Sequence, residues 1–141
     1  MAALDWLKIQ PKVVGYRIVV SGCSFGGIQT LLTAQKGLGA RAFIAFAPAA
    51  ESSGNGALDL MLEDAVSHSR APVFVLHAKN DSNTQPTEVL GKMAKAHGGQ
   101  AKTYPRVGST PQQSHWAFAT TGAGFAIWGD DALQFIEAAF R

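Results

Sequence analysis

The sequence predicts an α/β domain: a short, mostly parallel sheet of about four strands with helices on both faces. Three observations lead there. Short apolar, β-branched segments recur without polar alternation. Each is followed by a segment whose apolar residues sit at helical spacing. The length, 141 residues with 47% hydrophobic, is that of one ordinary domain with enough apolar side chains to fill its core.

Taken in order, residues 5–10 read as the end of a helix stopped by Pro11. Residues 16–20 read as a buried strand, and residues 21–27 as a glycine-rich turn. Ile28, Leu31 and Leu32 begin a helix that Gly37 and Gly39 end. Residues 41–46 form a second strand, halted by Pro48. Residues 57–68, with Leu58, Met61, Leu62 and Ala65 at helical spacing, form an amphipathic helix. Residues 72–77 are a third strand. Pro86 opens a helix that Gly98 and Gly99 close. Residues 100–104 are a weaker fourth strand, and residues 108–114 a loop. Asp130 caps a last helix whose apolar face is Leu133, Ile136 and Phe140. No linker interrupts the pattern, so residues 1–141 form one domain.

Composition excludes several functions. Lys plus Arg number 12 and Asp plus Glu 10, for a net charge of +2, and no basic cluster offers a footprint for nucleic acid. The single cysteine, Cys23, rules out an intrachain disulfide and a cysteine-rich zinc site. The longest apolar run, residues 42–50, contains Pro48 and is too short to cross a bilayer. The first residues lack the basic and apolar segments of a signal peptide, which leaves the cytoplasm as the default location. Charged residues are only 16%, the mark of a chain that covers part of its surface.

Gly22-Cys23-Ser24-Phe25-Gly26 fits G-x-S-x-G and lies between a buried strand and a helix, where that pattern belongs. Glycines flank the serine because the turn is tight. The strain presents the serine oxygen above the carboxyl edge of the sheet, and the Phe25 N–H becomes a donor for an oxyanion. A nucleotide-binding turn fits less well. Ile28 stands where a third glycine is needed, no lysine follows Gly27, and no acidic residue lies near position 42.

A serine nucleophile needs a base, and the base needs an orienting carboxylate. Of four histidines, His68 and His97 fall at helix ends, while His77 and His115 both reach the carboxyl edge of the sheet. Asp81 follows the third strand after a short turn and emerges at that edge. Ser24, Asp81, His115 is the order of nucleophile, acid and base in α/β-hydrolases.

On these residues the chain resembles the α/β-hydrolases from about Tyr16 onward. Residues 22–27 look like their nucleophile elbow. Residues 71–81, and Tyr104-Pro105 followed by His115 and Phe118, look like the dienelactone hydrolase-like branch. The resemblance implies Ser24 as nucleophile, His115 as general base and acid, Asp81 as its orienter and Phe25 N–H as one oxyanion donor. It implies hydrolysis of short acyl esters or lactones through an acyl-enzyme, with no metal or cofactor. Cys23, one position early, reads as a small packing residue. Trp116 and Phe118, with Phe25, Leu60 and Met61, are candidates to line an acyl pocket.

The family fold has eight strands, and its elbow follows the fifth, so the chain corresponds to the C-terminal half of that fold. The early loop that gives a second oxyanion N–H has no counterpart. The strand before Ser24 becomes an apolar, uncharged edge, which predicts a homodimer paired along it. The contrasting expectation is a non-catalytic half-domain that binds or assembles.

Overall fold

A computed structural model of the chain describes residues 2–141. The helices are α1 (Ala2–Lys8), α2 (Phe25–Lys36), α3 (Gly56–Ser67), α4 (Gln85–Ala96), α5 (Pro111–Thr120) and α6 (Gly122–Ala139). The strands are β1 (Val19–Cys23), β2 (Ala42–Phe46), β3 (Val73–Ala78) and β4 (Gln100–Tyr104). All three pairings are parallel, and the strands lie side by side in the order β1-β2-β3-β4.

That order fixes the layers. Strand-helix-strand crossovers are right-handed almost without exception. Three crossovers stepping in one direction therefore place α2, α3 and α4 on the same face. α2 does pack on α3, and α3 on α4. The opposite face is left to the segment after β4, where α5 and α6 pack on each other and over β3 and β2. Two apolar layers result. Ile28, Leu31, Leu62, Val66 and Leu90 meet Phe43, Val73 and Val75 on one side. Phe118, Ala132 and Phe135 meet Ile44, Phe74 and Leu76 on the other. β2 and β3, buried along their whole length, carry no polar alternation for this reason. The Tyr104 hydroxyl donates to Asp131 at 2.6 Å and ties β4 to α6.

Several expectations shift. β1 begins at Val19 rather than Tyr16, because Arg17 N–H closes a turn onto Val14 O at 2.7 Å and Tyr16 is left exposed. It runs through Ser21 and Gly22, so the glycine-rich turn shrinks to Ser24 alone. The expected loop at 108–114 is half helix: Pro111 opens α5, and Thr110 Oγ1 accepts from Gln113 N–H. α6 starts at Gly122, capped by Thr121, and not at Asp130, which lies exposed inside it. Leu133 is also exposed; Ala132 and Phe135 face the core instead. Among the described residues, no strand pairs with the outer edge of β1.

Candidate active site

Only one residue separates β1 from α2, and the backbone reverses there. Ser24 has φ 57° and ψ −119°, a conformation that L-residues rarely adopt and that costs roughly 1–3 kcal/mol. Two contacts hold it. Ser24 N–H donates to Phe46 O on β2 at 2.9 Å, and Ser24 O accepts the first intrahelical bond, from Ile28 N–H at 3.1 Å. The N–H groups of Phe25, Gly26 and Gly27, ahead of that bond, have no intrahelical partner and form the positive end of α2. The glycines differ in their reasons. A Cβ on Gly22 would lie 2.3 Å from Gly26 O and 2.8 Å from Thr30 Oγ1, whereas a Cβ on Gly26 would meet nothing within 4 Å. The close approach is therefore at Gly22.

Asp81 lies one turn beyond β3. Its N–H caps Ala78 O, and its Oδ1 accepts from Ser82 N–H at 2.7 Å, so it fills the turn-capping role while its carboxylate also engages a histidine. His115 Nδ1 lies 3.0 Å from Asp81 Oδ1 and 3.1 Å from Oδ2, and both side chains are buried. A carboxylate beside Nδ1 holds the proton there and leaves Nε2 as the basic nitrogen. Nε2 has no hydrogen-bond partner. His115, which directly follows the expected loop at 108–114, sits in the second turn of α5 and is buried.

The two halves meet through Cys23. Its thiol is 3.9 Å from His115 O, so the residue before Ser24 touches the backbone of the candidate base. Burial, and then the Asp81 charge, push the Cys23 thiol up to about 11, which keeps it protonated and unreactive. Ser24 follows Cys23 in the chain, and no hydrogen bond joins its side chain to His115, whose Nε2 is unpartnered.

Of the remaining candidates, Phe25 is 70% and Trp116 62% exposed, and Trp116 stands edge-on to the His115 ring at 5.8 Å. Phe118 is fully buried against Phe46 and Tyr104, so it is a core residue and not a wall of an acyl pocket. Leu60 and Met61 are exposed on α3, a helix that packs on α2. His77 turns away from the pair. It is fully buried, with Nδ1 2.5 Å from Thr87 Oγ1 and Nε2 unpartnered. Burial, and then proximity to His115, push its pKa down to about 3. Asn80 and Ser114, each one residue before a member of the pair, are also hydrogen-bonded to each other at 2.9 Å. In the sequence, Asn80 looked like a turn residue, and only its place next to Asp81 marked it.

No family model matches the sequence, and no curated protein matches it. Solved structures do. Thermogutta terrifontis esterase 2 phosphorylated by paraoxon superposes with a TM-score of 0.60 at 18% identity over 98% of this chain. The same esterase phosphoramylated by tabun gives 0.58 at 20%, also over 98%. Its propionate-bound form gives 0.56 at 18% over the same share. The fold is that of an α/β-hydrolase. At 18–20% identity the likeness is one of fold alone, and it does not reach the dienelactone hydrolase-like branch. The α/β-hydrolase-like chain spans 58–60% of the length of these esterases.

Two outcomes follow from the geometry of this α/β-hydrolase fold. Gly22→Ala drives a Cβ into Gly26 and lowers stability by about 1–3 kcal/mol or more, while Gly26→Ala is neutral or stabilises by up to about 1 kcal/mol; urea denaturation measures both. His77 stays neutral in the folded chain down to about pH 3, while in the unfolded chain it protonates near 6.5. Its contribution is full above 6.5 and is lost as pH falls from there toward 3, at about 1.4 kcal/mol per pH unit. Urea denaturation of His77→Gln across this range shows a slope shallower by one proton.

Proposed function

We propose that the chain is a serine esterase acting on short acyl esters. The observation that carries this reading is the buried Asp81–His115 pair, with Nε2 unpartnered, at the sheet edge where Ser24 is held in a strained turn. The esterase neighbours support the reaction class. That the Thermogutta esterase was solved with propionate and with butyrate bound supports a short acyl group.

In the proposed mechanism His115 Nε2 removes the Ser24 hydroxyl proton as Oγ bonds to the ester carbonyl carbon. Asp81 stabilises the imidazolium that forms, and the Phe25 N–H donates to the oxyanion. The C–O bond to the alcohol breaks, and the proton on Nε2 passes to the departing oxygen. A water then attacks the acyl-enzyme, giving its proton to Nε2. The acid leaves, and Ser24 recovers its proton. Phe25 and Trp116, both exposed, offer apolar surface for the acyl chain.

p-Nitrophenyl acetate hydrolysis tests this. Ser24→Ala is expected to lose about 10³-fold or more in kcat; equal rates for the two proteins would overturn the mechanism and leave the binding half-domain. Paraoxon supplies a second readout. Ser24 Oγ displaces p-nitrophenolate and keeps the diethylphosphoryl group, a mass increase mapped to Ser24 and absent from Ser24→Ala.

We further propose that two copies pair along β1. The strand carries no charge and no proline, so nothing on it discourages pairing, and identical edges meet antiparallel about a two-fold axis. The partner chain would then lie close enough to contribute the second oxyanion donor. Light scattering at micromolar concentration is expected to give a dimer mass, and a monomer mass would sink the proposal.

A further inference from the structure

The residue before the candidate acid and the residue before the candidate base form a polar contact of their own. Asn80 Oδ1 accepts from the Ser114 hydroxyl at 2.9 Å and from Val107 N–H at 3.0 Å, and Asn80 Nδ2 donates to Val107 O at 3.1 Å. Ser114 is fully buried, Val107 nearly so and Asn80 half-buried. The side-chain amide thus stands in for a strand neighbour of Val107, satisfying both of its backbone groups, while holding the α5 residue that precedes His115. The separations match: 80 to 114 and 81 to 115 each span 34 residues. The β3–α4 turn and α5 are joined by two side-chain rungs in register, of which Asp81–His115 is one.

The rung at Asn80 has a task the other cannot perform. The segment from Pro105 to Thr110 is exposed except at Val107, and Gly108 sits at φ 68°. Such a connection has several backbone paths open to it, and each would deliver α5, and with it His115, at a different height above the sheet. The contacts to Asp81 Oδ1 and Oδ2 converge on one ring nitrogen of His115 and do not by themselves hold the helix that carries it. Three hydrogen bonds to a side chain anchored beside Asp81 fix the helix itself. Effective general-base catalysis requires that placement, because small errors in geometry cost large factors in rate.

We infer that Asn80 is a positioning residue, a latch that sets His115 against Asp81 and Ser24 by clamping Val107 and Ser114. This rests on the serine esterase reading for its kinetic consequence, while the alignment of the His115–Asp81 pair stands independently of it.

The experiment compares wild type with Asn80→Ala and Ser114→Ala, using p-nitrophenyl acetate for kinetics and proton NMR for the His115 Nδ1–H bound to Asp81. Asn80→Ala loses all three hydrogen bonds and is expected to lower kcat by about tenfold or more with KM changed less than about twofold. Its Nδ1–H resonance broadens or disappears. Ser114→Ala removes one bond and keeps the Val107 clamp, so it shows a smaller loss of kcat, about threefold. It also serves if Asn80→Ala fails to fold. The latch is overturned if the folded variants keep both kcat and the resonance of wild type, or if kcat and KM worsen together while the resonance is unchanged. Should Ser24→Ala prove as active as wild type, the esterase reading fails, and the resonance still decides whether Asn80 aligns the pair.

Discussion

A strand that passes into a helix with one residue between them has little freedom. At Ser24 the backbone must reverse at once, and the helix must begin pressed against the strand it has just left. The contact that permits this is backbone on backbone: Gly22 on β1 against Gly26 on α2, too close for a Cβ on the strand side. Much else follows from it. The first turn of α2 points its free N–H groups at the carboxyl edge of the sheet, and Ser24 is lifted above that edge while its N–H stays bonded to β2. The conformational energy stored at Ser24 is sustained by the packing of α2 onto β2, where Phe43 and Ala45 share its apolar cluster.

The candidate site then draws on both faces. Ser24 belongs to a strand and helix that pack toward α3, whereas His115 comes from α5, which with α6 covers the other face. The strand order makes this necessary. With α2, α3 and α4 on one side, the segment after β4 returns over the other. A histidine reaching the end of β3 from that side needs its height fixed, and the site has polar rungs where its surroundings are apolar.

What could be read in advance was what is encoded locally. The strands announced themselves as unbroken apolar runs, and the Gly22–Gly26 pattern depends on five adjacent residues. The meeting of Asp81 with His115 was legible because motif order along the chain maps onto successive segments at one edge. Tertiary choices were hidden. α5 buries Ser114 and His115 rather than an apolar stripe, so its polar first turn read as loop. α6 begins at Gly122 and Gly124, weak helix formers whose value lies in packing: a Cβ on Gly124 would strike Phe118 O at 2.0 Å. Phe118 and Trp116 are two positions apart on one helix, and nothing local distinguishes the buried aromatic from the exposed one. Asn80 looked like any turn asparagine, because its partners lie 27 and 34 residues away.

The strand order also bears on how the molecule forms. Every strand pairs with its neighbour in sequence, so each strand could add to an edge that the preceding one leaves open. In such an order Ser24 would be placed first and Asp81 with β3. The histidine cannot arrive until β4 has been laid down and the chain has doubled back across the far face. The proposed site would thus be completed last, and a chain folded only through β3 would hold Ser24 and Asp81 without His115.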